Sequence, residues 1–190
     1  MKKIVISAGE VSGDIHAAAL VAAIKKIDPS IRFYGMGGEK LKGLLGSNIK
    51  YDLTRQGIVG LFEGLLHLPK AISTLQKMKA FINSEKPNLL ILIDSQGFNM
   101  PLANYAKSIG IETLYYISPQ EWQWGSKKNQ IKVVKTLDHI IAIFKKEYEV
   151  YKKLGANISY FGHPSVDLIK VKANRAIMVR ELALKKTRPV

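Results

Sequence analysis

The stretch that decides the fold is KIVISAGEVSGDIHAA, residues 3–18. Its β-branched residues predict a strand, its two glycines a turn, and its alanine-rich end the start of a helix. A turn of this kind directs backbone N–H groups towards the carboxyl end of the strand, where anions and other ligands bind. The spacing matches neither G-x-G-x-x-G nor a P-loop, and Glu10 and Asp14 would repel a phosphate. The residues alone therefore indicate a generic ligand site at the start of a parallel α/β domain.

Short apolar segments alternate with helical patterns along the rest of the chain. The runs at 89–93 and 140–143 are apolar without alternation, which is typical of strands buried on both faces of a parallel sheet. The repetition predicts an α/β fold, a Rossmann-like doubly wound parallel sheet over residues 1–167. A basic linker or helical tail is expected over 168–190. The predicted strands lie near 3–7, 31–36, 48–52, 88–94, 112–117, 138–143 and 157–161, and the predicted helices near 12–27, 38–45, 60–84, 98–108, 126–136 and 145–154.

Composition narrows the class of protein. The chain has 190 residues, of which 47% are apolar and 23% charged, and this balance is typical of a globular domain. It has no cysteine, which excludes disulfides and thiolate chemistry and fits a cytoplasmic protein. No apolar run approaches the ~18 residues of a spanning helix, and the N-terminus does not resemble a secretory signal. The net charge of +14 suits nucleic acid, anionic lipid or a phosphorylated metabolite, although a solvated lysine-rich surface explains it equally well.

Asp94 is the strongest candidate for chemistry. It follows the apolar run 89–93 directly, so the predicted strand holds its carboxylate at the mouth of the ligand crevice. A carboxylate in this place is a candidate general base. The alternative is an aspartate that only pins the loop. Asn99 is expected to cap the helix that follows.

Two further loops follow predicted strands. In the loop at 118–125, Trp122 and Trp124 would project to one side if the chain were extended, either as a pocket wall or as anchors on the core. Lys127 and Lys128 come next and would meet a phosphate there. His163 follows the last strand and is a second candidate site residue. The default for the other histidines, namely His16, His67 and His139, is a structural role, and no spacing suggests a metal site.

The segment 57–66 is apolar on every side except at Glu63. Such a helix is either buried or forms a patch that touches acyl chains at a membrane surface. From Pro69 onward the pattern becomes amphipathic, with a predicted core stripe at Ile72, Leu75, Met78 and Ile82.

Six segments in order resemble the lipid-A-disaccharide synthases, a family of glycosyltransferases with the GT-B fold. Two of these segments, AGEVSGD at 8–14 and SPQEWQW at 118–124, are specific to that family. The other four are GMGG at 35–38, GLFE at 60–63, the pair Ile93-Asp94 with Phe98-Asn99, and FGHP at 161–164.

The resemblance implies an inverting transfer of 2,3-diacylglucosamine from its UDP conjugate to 2,3-diacylglucosamine 1-phosphate, without a metal or cofactor. It implies that Asp94 is the general base. It implies further substrate contacts at Gly9, Glu10, Ser12, Gly13, Asp14, Glu63, Asn99, Ser118, Trp122, Trp124 and His163. It also implies acyl or membrane contacts at Ile58, Leu61, Phe62, Leu65 and Leu66.

Members of the family are about twice as long as this chain, and their second domain makes most contacts to the UDP sugar. The chain is therefore expected to be the acceptor domain, with the donor domain absent or supplied by a separate partner, and to have little activity alone. The expected location is cytoplasmic, peripheral on the anionic inner face of the inner membrane. The main alternative is a non-catalytic remnant or an anionic-lipid-binding module. A nucleic-acid partner is not expected, since the chain lacks a recognised binding motif.

Overall fold

A computed structural model describes residues 1–54 and 61–168, with residues 61–68 and Leu168 described by their backbone alone. The predictions made for 55–60 and for the tail from 169 lie outside the described residues. The strands are β1 (Lys3–Ala8), β2 (Arg32–Met36), β3 (Ile49–Tyr51), β4 (Leu89–Ile93), β5 (Thr113–Tyr116), β6 (His139–Ala142) and β7 (Ile158–Tyr160). The helices are α1 (Val11–Ile27), α2 (Glu39–Leu45), α3 (Leu61–Glu85), α4 (Gln96–Ser108), α5 (Glu121–Trp124), α6 (Lys127–Thr136), α7 (Lys145–Lys153) and α8 (Ser165–Leu168).

The strands form one parallel sheet in the order β3-β2-β1-β4-β5-β6-β7. The chain builds outward from β1 in one direction and then returns to place β4 on the other side of β1. This confirms the predicted doubly wound Rossmann-like sheet. The strand order reverses between β1 and β4, and ligands bind at such a switch point.

The core has two parts, one on each face of the sheet. Strand β4 shows how they divide, because Leu90 and Leu92 belong to one buried cluster while Ile91 and Ile93 belong to the other. All four side chains are almost completely buried. The uninterrupted apolar run at 89–93 thus has the two-faced burial that its sequence predicts.

Two features differ from the sequence-based expectations. In α3 the core stripe holds at Met78 and Ile82, but Ile72 is 50% exposed and Thr74 is buried at that turn instead. Helices α5 and α8 are not predicted by the sequence, because a four-residue helix is too short to show a periodic pattern. Among the described helices, none combines the length and the hydropathy that crossing a membrane requires.

Candidate active site

The candidate site lies at the switch point, where the loops after β1 and β4 face each other. Ala8 pairs with Ile93 in the sheet, so Gly9 and Asp94 leave it side by side. A Cβ on Gly9 would lie 2.6 Å from Ser95 Oγ, which is too close for any other residue without displacing Ser95. Gly9 therefore lets the two loops approach each other closely.

Hydrogen bonds to its carbonyl oxygen hold the backbone of Asp94. Asp94 and Ser95 have φ values of +48° and +47°, a left-handed conformation that costs about 1–2 kcal/mol for each non-glycine residue. The Asp94 carbonyl oxygen accepts hydrogen bonds from Tyr115 Oη at 2.6 Å and Asn99 Nδ2 at 2.8 Å. These bonds offset the cost and leave the carboxylate half-buried at the rim of the sheet.

Asn99 has a different role from the one predicted. Helix α4 begins at Gln96, so Asn99 lies within its first turn and is not the N-cap. Its buried amide also donates to the Ile93 carbonyl at 3.0 Å, and its Oδ1 accepts from Ser7 Oγ at 2.7 Å. Asn99 thereby ties the ends of β1 and β4 together beneath Asp94. Tyr115, its partner at the Asp94 carbonyl, carried no signal in the sequence.

Glu10 and His16 lie close enough to Asp94 to sense its charge. Desolvation raises the pKa of Glu10, the negative charge of Asp94 raises it further, and a hydrogen bond with Ser95 opposes both. Desolvation also lowers the pKa of His16, as does the nearby imidazole of His163, while Asp94 acts in the opposite direction. The structure thus gathers two carboxyl groups and two imidazoles at one edge.

His163 reaches this cluster from the far edge of the sheet. Its ring stands edge-to-face with that of His16 at a centroid distance of 6.2 Å, and it packs on Phe144 at 5.5 Å. His163 Nδ1 accepts a hydrogen bond from the Ser165 backbone at 3.2 Å, while the buried Nδ1 of His16 has no hydrogen-bond partner among the described residues. The sequence-based default had given His16 a structural role. The sequence offered one signal for a role in the site, namely that His16 lies in the second turn of α1, the helix that begins at the switch point.

Asp14 contacts the loop after β2 and the start of α2. It is buried, and its carboxylate accepts hydrogen bonds from the backbone N–H groups of Gly38, Lys40 and Leu41 at 2.8–3.1 Å. A Cβ on Gly38 would lie 2.9 Å from Asp14 Oδ2, which explains a glycine there. Asp14 thus fixes α1 to the start of α2.

Ser12 and Gly13 occupy the first turn of α1. Ser12 is exposed, and Gly13 is buried against the end of β4.

Helix α7 supports the loop at 118–125 from below. Ser118 is buried and hydrogen-bonds to the carboxylate of Glu147, which also accepts from the backbone N–H groups of Ile143 and Phe144. Tyr151 Oη donates to the Pro119 carbonyl at 2.6 Å. Glu147 and Tyr151 were not singled out from the sequence, because α7 lies about 30 residues further along the chain.

The two tryptophans of this loop differ in burial. They lie in the helical turn α5 and not in an extended segment, so the predicted common side is not found. Trp122 is half-buried and packs on Phe144 at 6.1 Å, while Trp124 is 79% exposed.

A cavity of about 340 Å³ lies between the start of α4 and the α5–α6 segment. It is lined by Gln96, Gln120, Glu121, Trp124, Gly125, Ser126 and Asn129.

The remaining predicted contacts lie where no side chain is described. Ile58 falls outside the described residues, and the first turns of α3 are described by their backbone alone, which covers Leu61, Phe62, Glu63, Leu65 and Leu66. Among the side chains that are described, no group of three or more histidine or acidic residues is arranged to hold a metal ion.

The strand order and the position of the candidate site define a Rossmann-type α/β domain. The UDP-N-acetylglucosamine 2-epimerase from Rickettsia bellii superposes with a TM-score of 0.64 at 12% identity, over 97% of this chain and 52% of that one. The UDP-GlcNAc 2-epimerase from Neisseria meningitidis, bound to UDP-GlcNAc, gives 0.61 at 10% identity, over 98% and 54%. At these identities the likeness concerns the fold.

Sequence comparison defines the family. The family model described as lipid-A-disaccharide synthetase matches residues 4–190. The lipid-A-disaccharide synthase of Trichlorobacter lovleyi is 39% identical over 175 residues, which is 92% of this chain and 45% of that protein. That of Geobacter metallireducens is 35% identical over 189 residues, or 100% and 49%. The chain belongs to the lipid-A-disaccharide synthase family, and it spans about half the length of these curated relatives.

Proposed function

We propose that this chain is the acceptor-binding half of a lipid-A-disaccharide synthase, with Asp94 as the general base. The transfer would move 2,3-diacylglucosamine from its UDP conjugate to the 6-hydroxyl of 2,3-diacylglucosamine 1-phosphate. The observation that carries the proposal is the placement of Asp94. Its carboxylate stands at the rim of the switch point, and Asn99 and Tyr115 hold its backbone from below.

The chemistry follows from that position. Asp94 takes the proton of the acceptor hydroxyl while the oxygen of that hydroxyl bonds to the anomeric carbon of the donor. The bond from that carbon to UDP breaks on the opposite side, UDP leaves with the electron pair, and the anomeric centre inverts.

Eight of the other predicted substrate contacts fall into two groups in this proposal. Glu10 and His163 lie in the cluster around Asp94, and Ser12 is exposed in the first turn of α1, where an acceptor would lie. Gly9, Gly13, Asp14, Asn99 and Ser118 are buried, and they would act by shaping the rim.

The donor sugar would be held by a second half, either further along a longer chain or in a separate partner. Catalysis depends on positioning both reactants, so the 190 residues alone are expected to be inactive or nearly so. The apolar segment 57–66 and the net charge of +14 support a peripheral location on an anionic membrane, at the cytoplasmic face of the inner membrane.

The decisive experiment is a transfer assay with both lipid substrates, run with and without a donor-half polypeptide. Asp94→Asn should lower the turnover about 100- to 10,000-fold, which is the usual contribution of a general base. The matched control is Asp28→Asn. Asp28 is the C-cap of α1, at the end of that helix away from the switch point, so the turnover of this variant should stay within about twofold of wild type.

Two outcomes would count against the proposal. If Asp94→Asn keeps activity within severalfold of wild type, Asp94 is not the base. If the wild-type chain shows no transfer with a competent donor half but still binds anionic vesicles, the second candidate function is favoured. That candidate is a non-catalytic, anionic-lipid-binding module, which the net charge of +14 supports.

A further inference from the structure

The polar cavity between α4 and the α5–α6 segment is a site that the proposed general-base chemistry does not use. Gln96 lines it and lies two residues after Asp94, so the cavity borders the candidate active site along the same helix start. Its volume of about 340 Å³ lies within the range of roughly 300–1,000 Å³ that small-molecule sites occupy.

The chemistry of its lining favours a neutral, hydroxyl-rich ligand. The amides of Gln96, Gln120 and Asn129 each offer donors and an acceptor, and the Ser126 hydroxyl adds one of each. Among the described residues of the lining, Glu121 is the single charged one, and its carboxylate would repel a phosphate. A ligand with several hydroxyl groups and no negative charge satisfies this set of groups best.

Trp124 provides the apolar wall. Its side chain is 79% exposed, although indole is usually buried and dominates the energetics of the sites where it occurs. An indole at the edge of a polar cavity can cover the C–H face of a sugar ring, while the amides reach the hydroxyl groups on the ring's edge.

The lining is held in place before any ligand binds. Gln96 Nε2 donates to Glu121 Oε1 at 2.6 Å, and Gln130 Nε2 donates to the Glu121 carbonyl at 3.0 Å. A Cβ on Gly125 would lie 2.7 Å from both the Cα and the carbonyl oxygen of Glu121, so the loop is closely packed there. A preorganised lining reduces the entropy lost on binding.

We infer that this cavity is a subsite for a neutral pyranose ring. The inference rests on the proposed function in one respect, which is that the ring would belong to a sugar substrate of the transferase. The phosphate and acyl groups of that substrate would lie outside the cavity. Binding of the ring itself depends only on the lining.

The test is an NMR titration of the ¹⁵N-labelled 190-residue chain with N-acetylglucosamine as the probe. The indole N–H signal of Trp124 should shift with increasing sugar. The Trp122 signal serves as the internal control and should stay in place, because Trp122 packs on Phe144 and does not line the cavity. Inorganic phosphate should leave the Trp124 signal unchanged.

Two variants sharpen the test. Trp124→Ala should weaken binding about fivefold, as expected for the loss of one aromatic contact. Phe161→Ala is the matched control, because Phe161 is 81% exposed but does not line the cavity, and it should bind as wild type does. The dispersion of each spectrum shows that the variant is folded.

The inference is overturned if N-acetylglucosamine leaves Trp124 unmoved, if phosphate shifts the Trp124 signal, or if the two variants bind equally well. Asp94→Asn separates this result from the proposed function. That variant should bind N-acetylglucosamine as wild type does. If the wild-type chain binds the sugar but shows no transfer with a donor half, the proposed function has failed. If it shows transfer but does not bind the sugar, the proposed subsite has failed.

Discussion

At the scale of single residues, the site depends on side chains whose roles differ from what their types suggest. Asn99 and Tyr115 contribute through their hydrogen bonds to the Asp94 carbonyl oxygen, not through contact with solvent. Losing one partner removes a hydrogen bond worth about 0.5–1.5 kcal/mol, while losing both would leave the acceptor unsatisfied, which costs about 1–3 kcal/mol. His16 contributes through its charge, because its imidazole lies in the titratable cluster with Glu10, Asp94 and His163.

The lowered pKa of His16 predicts how the stability of this chain changes with pH. Because the folded state binds a proton at His16 less tightly than the unfolded state, stability is fully present above the ordinary histidine pKa and is lost as the pH falls through the lowered value. The raised pKa of Glu10 acts in the opposite direction, since its contribution is lost as the pH rises.

Chemical denaturation of wild type and His16→Gln at pH 7.5 and pH 5.0 isolates the histidine. Wild type should lose more unfolding free energy than the variant between pH 7.5 and pH 5.0. The reason is that protonation of His16 favours the unfolded state, and only wild type has this histidine. Asp94 and His163 face His16 and are present in both proteins, so the comparison reports His16 together with its coupling to these two groups. A difference that does not change with pH, or that changes in favour of wild type at pH 5.0, would contradict the assignment.

At the scale of elements, the loops at the carboxyl edge are shaped from beneath by helices that are distant in sequence. Helix α7 holds the loop at 118–125 through Glu147 and Tyr151. Helix α4 holds the end of β4 through Asn99. The glycines of these elements differ in their surroundings, and this difference can be measured.

Two glycine substitutions should have effects of opposite sign. A Cβ on Gly97 would meet nothing within 4 Å, so Gly97→Ala in the first turn of α4 should raise the unfolding free energy by about 0.5–1 kcal/mol. Gly9→Ala should lower it by about 1–3 kcal/mol, because the added Cβ would lie 2.6 Å from Ser95 Oγ. Urea denaturation measures both values, and equal effects of the two substitutions would show that the loops after β1 and β4 are not in close contact.

At the scale of the whole molecule, the net charge and the apolar sequence at 57–66 are the basis of the proposed membrane location. The net charge of +14 gives a long-range attraction to anionic surfaces, which salt screens. The apolar residues at 57–66 would add a short-range contribution from contact with acyl chains. The two contributions differ in their dependence on salt, and a single assay can separate them.

Replacing Leu61, Phe62 and Leu65 together by serine should weaken sedimentation with phosphatidylglycerol vesicles at least about tenfold, since each large apolar side chain contributes about 1.5–3 kcal/mol when it is fully buried. The loss should be clearest at high salt, where the charge attraction is screened. Ile72→Ser is the matched control, because Ile72 is an exposed apolar residue of the same helix, and it should bind as wild type does. Unchanged binding by a folded triple variant would place the membrane contact elsewhere.

Much of the fold could be predicted from the sequence, since its evidence is local. The apolar run at 89–93 and the strand–turn–helix at 3–18 each contain the pattern that defines their structure, and Asp94 follows directly from where its strand ends. Trp122 and Trp124 show the limit of that reasoning. Their spacing is the same in an extended loop and in a helical turn, and only the packing on Phe144 separates the half-buried ring from the exposed one.

The sequence by itself determined the parallel α/β class, the strand that presents Asp94 and the family, because hydrophobic periodicity and short motifs depend on neighbours along the chain. Only the tertiary structure decided that Tyr115 and Asn99 hold Asp94 and that His16 stands against His163. It also decided that Gln96 and Trp124 share a cavity. The physical reason is that a parallel sheet brings together the carboxyl ends of strands far apart in the chain, and the partners that meet there depend on the strand order.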